Sequence, residues 1–167
     1  TLDSATITYN ASVTGLVPAA VATDIFEIAG SGTKTVKIRR LQISCSATAA
    51  GAYDFIVVKR STANTAGTST TQTSVPLDSN DVAATAVVKS YTANPTTGTL
   101  VGNVRSTKGT VTSSAGAIPN VQTIFDFGIR SDEALTLRGI AQMAAIHLNS
   151  TTMTGGSCNA DVEWTEE

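Results

Sequence analysis

The sequence has little of what chemistry usually requires. Its 167 residues include one histidine, two cysteines and one tryptophan, and 14% of them are charged, well below the quarter typical of a globular chain. With no Cys-x-x-Cys and no clustered His and Cys, zinc has no ligand set. There is no Gly-x-Ser-x-Gly elbow for acyl transfer, and no Gly-rich loop followed by Lys and a helix to cradle phosphate. No apolar run reaches the roughly 20 residues of a membrane-spanning helix. Leu, Glu and Lys seldom gather, so helices have little raw material. These absences predict no cofactor, no metal, no nucleic-acid partner and no membrane partner.

Charge is as thin in pattern as in amount. The formal net charge is −2, which gives weak self-repulsion and invites association. The basic residues crowd only at Lys34, Lys37, Arg39 and Arg40. In a strand Lys37 and Arg39 share one face and Arg40 takes the other, so no basic stripe forms for nucleic acid. The cluster reads as a solvated strand edge. Cys45 and Cys158 each sit on an apolar strand face. Buried free thiols are the expected state, with a bond across the core left open. A start at Thr1 without a basic-then-apolar segment is read as cytoplasmic synthesis.

What fills the chain instead is Thr, Ala, Ser and Gly: β-branched residues for strands and small ones for turns. Period-2 alternation recurs. It is cleanest at the end, where Cys158, Ala160, Val162 and Trp164 oppose Asn159, Asp161 and Glu163. Between Thr33 and Ser46 the apolar phase flips, from Val36 and Ile38 to Leu41, Ile43 and Cys45. A β-bulge, or a strand crossing between sheets, is expected between Arg39 and Leu41. Phe55-Ile56-Val57-Val58 is apolar on both faces, as in a strand covered twice. Ser61 to Ser74 is a polar tract read as a surface loop. Asn94-Pro95-Thr96-Thr97-Gly98 marks a turn. The pattern gives about nine strands and no strong helix, hence a β-sandwich or barrel. Residues 1–22 read as an N-terminal strand and extended arm, and residues 23–167 as the body of a single domain.

Candidate chemistry is sparse. His147 lacks a nearby nucleophile or orienting carboxylate in sequence and reads as a strand residue. Asp78, Asn80 and Asp81 lack the spacing of a calcium loop and read as turn formers. Asp161 and Glu163 share an outward strand face with Cβ atoms about 7 Å apart, a separation that permits acid–base work but is equally that of a solvated face. Trp164 falls in phase with the core. Tyr91, beside a turn, is the tyrosine expected at the surface. In the arm, Leu16, Val17 and Pro18 are apolar and expected to be exposed in a monomer, so they become candidate interface residues together with Tyr91.

Several phrases carry a resemblance. They are Thr14-Gly15-Leu16-Val17-Pro18-Ala19-Ala20 with Ala22-Thr23-Asp24-Ile25-Phe26, Lys59-Arg60-Ser61-Thr62-Ala63-Asn64, Tyr91-Thr92-Ala93-Asn94-Pro95-Thr96-Thr97, and the closing Glu163-Trp164-Thr165-Glu166. Over most of its length the chain resembles a group of small, Thr/Ala-rich structural proteins of tailed bacteriophages. The resemblance implies an all-β, antiparallel β-sandwich of jelly-roll type. It also implies a non-enzymatic capsid decoration (cement) protein, homotrimeric, located in the virion after synthesis in the host bacterial cytoplasm, with the major capsid protein or another virion protein as partner. The competing expectation is a carbohydrate-binding β-sandwich on a phage fibre or tail, which predicts exposed aromatic side chains. A hydrolase would need His147 or a carboxylate pair in a cleft.

Overall fold

The computed structural model describes residues 6–19, 21–111, 121–129, 131–150 and 154–167, with no helix among them. Strands follow one another along the chain: β1 (Thr8–Leu16), β2 (Thr23–Ala29), β3 (Thr35–Ser46), β4 (Gly51–Arg60), β5 (Thr68–Gln72), β6 (Val75–Pro76), β7 (Val87–Ala93), β8 (Leu100–Val111), β9 (Val121–Asp126), β10 (Leu135–Arg138), β11 (Met143–Leu148) and β12 (Ser157–Glu166). They form two six-stranded sheets, every pairing antiparallel. The first sheet runs β10-β3-β12-β1-β6, with β9 pairing β3 beyond β10; the second runs β5-β7-β2-β11-β4-β8.

The described residues hold twelve strands, where the pattern suggested about nine. Two of the additional strands are β5, which forms within the polar tract after Arg60, and β6, which follows at once. β5 is Thr-Ser-Thr-Thr-Gln, almost wholly exposed, so it has no alternation of burial for a sequence reading to detect. Its β-branched residues instead pair with the backbone of β7. The extended arm is also shorter than expected, since β1 stays paired with β12 as far as Leu16 opposite Cys158.

The flipped phase in β3 is a bulge. Glu163 pairs with Arg40 and Trp164 with Ile38, which leaves Arg39 as the extra residue. Val36 and Ile38 before it, and Leu41, Ile43 and Cys45 after it, thus all reach the same core. The basic cluster does not lie on an edge, because β3 is flanked by β12 on one side and by β9 and β10 on the other. Lys37 pairs with Glu167 at 2.6 Å and Arg40 with Glu163 at 3.6 Å.

On β12 the expected inward face is fully buried. Trp164 stacks on Tyr9, its register partner on β1, with ring centroids 5.7 Å apart. Cys158 lies opposite Cys45 in the β3–β12 register, and the cysteines form a disulfide, not free thiols. Strand adjacency decides this: residues far apart in sequence became directly opposed, and directly opposed Cβ atoms fall within bonding range.

One carboxylate fastens the segment between β6 and β7 to this core. Glu166, 6% exposed, accepts hydrogen bonds from Thr85 N and Oγ1, Ala86 N and the Trp164 indole. Glu166→Gln keeps the shape but turns an amide NH2 toward a donor. It should cost about 2 kcal/mol in a urea titration, whereas an unchanged midpoint would show that the segment is held by other contacts.

Candidate functional site

A second bulge creates the chain's most concentrated set of polar groups. In the β2–β11 register Ile146 pairs with Phe26 and His147 with Asp24, leaving Ile25 unpaired. Ile25 and Phe26 both enter the core, and Asp24 joins Glu27 on the opposite face of the second sheet. On β11 the alternation places Ala144, Ile146 and Leu148 in the core and turns Met143, Ala145 and His147 outward. The outward face is nevertheless covered: Met143 and Ala145 are at most 1% exposed. The cover consists of the chain after β4 and the chain before β8, joined by Ser61 N to Thr99 O at 2.9 Å and by the Thr65–Thr96 bridge.

Beneath that cover Asp24 has no solvent exposure. Arg60 clamps it through Nε at 2.7 Å and Nη2 at 2.8 Å, a bidentate pair. Asn64 Nδ2 donates to Asp24 Oδ2 at 2.8 Å and to Glu27 Oε2 at 2.7 Å. The Tyr91 hydroxyl donates to Glu27 Oε1 at 3.0 Å. The network reaches the cover through Gly98, whose N–H donates to Asn64 Oδ1 and whose carbonyl accepts from Arg60 Nη1. Glycine is required there, since a Cβ would overlap the Thr62 carbonyl.

The carboxylates titrate in opposite directions. Burial alone would raise Asp24, but hydrogen bonds from His147, Arg60 and Asn64, with the Arg60 charge, outweigh it and bring the pKa to about 2. Burial raises Glu27, opposed by Tyr91, Asn64 and Lys89. The depressed Asp24 contributes stability that is complete above its ordinary value of 3.8 and lost as pH falls toward about 2, a loss of about 2 kcal/mol. The raised Glu27 works the other way: its contribution is complete below its ordinary value of 4.5 and falls as pH rises through the folded value. Urea midpoints measured against pH should therefore peak in mild acid. Glu27→Gln should make the limb above the peak shallower, leaving the part that Asp161 contributes, and keep the acid limb intact. A Glu27→Gln profile whose upper limb is as steep as the parent's would refute the assignment.

The same network orients the histidine. His147 Nδ1 lies 2.8 Å from Asp24 Oδ1. Since Asp24 is ionised at neutral pH it can only accept, so Nδ1 carries a proton and donates it to Asp24, which turns Nε2 away from the carboxylate. The orienting carboxylate absent from the local sequence thus comes from another strand. His147 lines an open cleft of about 190 Å³ with Ile56, Val58, Leu100, Asn103 and Asn149, beside the committed Arg60. Those partners are apolar or amides. The cleft can accept a hydrogen-bond donor, but its lining offers no hydroxyl, thiol or free carboxylate for the imidazole to activate.

The candidate interface residues separate. Leu16 is 3% exposed and belongs to the core, Pro18 is buried, and Tyr91 is 2% exposed with its hydroxyl on Glu27. Of the four, Val17 alone reaches the surface, at 57%. Leu16 is inward because β1 continues to it, and Tyr91 is inward because the chain around Gly98 covers its face. Asp161 and Glu163 do share the outer face of the first sheet. Burial raises Asp161, and Glu163 is engaged by Arg40. Asp78 caps its own turn, accepting from Asn80 N at 3.0 Å. Among the described residues no group of three His, Cys, Asp or Glu is placed to hold a metal.

Asp24, Glu27, Arg60 and Asn64 were not singled out by sequence reasoning. A usable signal was present: Asp24 and Glu27 interrupt an apolar strand, and Arg60 ends another. Charges inside buried strands require partners. No known protein family matches the chain, and neither a curated protein nor a solved structure matches it.

Proposed function

We propose that the chain is a non-enzymatic structural protein of a tailed-bacteriophage virion, a capsid decoration protein of jelly-roll type that assembles as a homotrimer and binds the major capsid protein. The observation that carries this reading is the strand order. The order β1-β12-β3-β9/β10 facing β2-β11-β4-β8, nine strands in eight positions with β9 and β10 sharing one, supports a jelly roll, with β5, β6 and β7 inserted between β4 and β8 and extending the sheets at one flank. That architecture recurs in viral capsid domains, lectin domains and cupins, and the fold alone does not choose among them.

The aromatic residues favour the first. All eight, one Trp, three Tyr and four Phe, are at most 6% exposed, so no stacking platform faces solvent for a sugar. Catalysis is disfavoured by the amide-lined cleft before His147. Contact with a large surface is favoured by β8, a 12-residue strand that among the described residues pairs only with β4, and that carries exposed Leu100 and Val101. The start of that edge, ahead of Arg105 and Lys108, offers unpaired backbone and apolar side chains to a partner.

The test is co-sedimentation with purified capsids of the phage whose genome carries the gene. Saturable pelleting is expected, weakened at least tenfold by Leu100→Asp with Val101→Asp. Pelleting that never saturates, or none at all, would reject the capsid assignment.

A further inference from the structure

The flank where the inserted strands lie holds an opening that the jelly-roll reading does not use. β6 pairs with β1 only at Tyr9 and Asn10. Beyond Asn10 one side of β1 still pairs with β12, through Leu16, while no described strand pairs with the other. The crossover from β5 to β6 closes the flank at the Tyr9 end. Past it lies an open groove of about 470 Å³ between the sheets. Ser12, Thr14, Thr70, Gln72, Ser90 and Thr92 contribute to its walls, and exposed Val17 stands at its mouth. Across the groove is β5, which among the described residues pairs only with β7.

These edges differ from the others. β6 is two residues long and ends at Pro76, which cannot donate to a ladder. β8 carries Arg105 and Lys108, β9 carries Asp126 and β10 carries Arg138. Short length, proline and charge are the usual devices that keep edges from pairing. The free stretch of β1, Ala11 to Leu16, and the whole of β5, Thr68 to Gln72, carry no proline and no charge, and each is bulged once, between Val13 and Leu16 and between Thr68 and Ser69. A charged segment entering here would lose hydration without finding a partner. An uncharged, hydroxyl-rich strand meets no such penalty, and this chain supplies one in β5.

We infer that β5 of one copy adds to the free edge of β1 in the next copy. The pairing is head-to-tail, because different edges meet. Both edges lie on one flank, so copies turned about an axis along that flank can each give β5 and receive β5, closing a ring. Backbone ladders supply the affinity, and the neutral walls admit β5 without like-charge repulsion. The inference rests on the self-assembly part of the function proposed above and specifies which surfaces make it.

Single-cysteine additions test it, since Cys45 and Cys158 are already bonded to each other. Ser12→Cys and Thr70→Cys are made separately and also co-expressed, with unchanged melting curves as the check on folding. A short bis-maleimide is applied, and the assembly mass is read by light scattering. The expected result is a multimer in every sample, with a covalent two-chain adduct in the co-expressed sample and none in either variant alone. An adduct from Thr70→Cys alone would mean that β5 pairs with its own copy and would overturn the head-to-tail inference. A multimer with no adduct in any sample would overturn the inference while leaving self-assembly standing. A monomer in every sample would overturn both.

Discussion

Replacing Cys45 and Cys158 together by alanine should lower stability by about 4 kcal/mol and the melting temperature by roughly 10 °C. The bond joins residues 113 apart in sequence, and closing a loop of that order in the unfolded chain removes entropy equivalent to about 4–5 kcal/mol. The native structure gives little of that back as distortion of the sheet, because β3 and β12 already hold the cysteines in an unbroken register from Ser46–Ser157 to Arg40–Glu163. For a domain of this size, total stability of about 5–15 kcal/mol makes such a loss a large fraction of the whole. Treatment of the parent protein with a membrane-permeant reductant should produce the same shift. Superimposable melts of parent and double variant would contradict the expectation. A chain synthesised in a reducing cytoplasm would acquire the bond after release, so the freshly isolated cytoplasmic protein should melt lower than the oxidised form.

Arg60→Met carries the second large effect, about 3–5 kcal/mol. The substitution keeps much of the side-chain volume but removes the bidentate partner of Asp24, which has no solvent exposure. It leaves a carboxylate buried with only Asn64 and His147 against it. It also removes the bond from Arg60 to the Gly98 carbonyl, so hydrogen exchange should quicken at residues 94–99. Asp24→Asn in the same background should recover part of the loss, because an uncompensated charge costs more than a neutral amide. If Arg60→Met costs under about 1 kcal/mol, the buried pair contributes little and the cover over the second sheet is fastened elsewhere. These polar groups hold two loops against a sheet face that would otherwise expose Met143, Ala145 and Val58. On this account the network is structural, and His147 is oriented by it without being employed by it.

Period-2 reasoning reached most of the sandwich. The inward face of β12, the bulge at Arg39 and the inward face of β4 each left an alternation, or a break in one, that the residues display, while the second face of β4 is covered only at Val58 and Arg60 and leaves Ile56 partly exposed. β5 left none, because an exposed Thr/Ser strand has no apolar face. The same limit hid the disulfide and the polar network. Alternation tells which face a residue occupies and says nothing of which strand lies beside it. Cys45 meets Cys158, and Asp24 meets Arg60 and His147, only through the order β3-β12 and β2-β11-β4. The expected surface positions of Leu16 and Tyr91 failed for a related reason. Each sits near a turn signal, yet neighbouring segments bring the core to it. The order of strands within each sheet likewise comes from adjacency, which alternation does not report.

Quantitative mass spectrometry of gradient-purified phage particles addresses the virion assignment most directly. The account predicts peptides of this chain within the particle band, in copy number comparable to the major capsid protein and retained through repeated banding. Recovery of the chain solely from the soluble lysate, with particles free of it, would contradict the account.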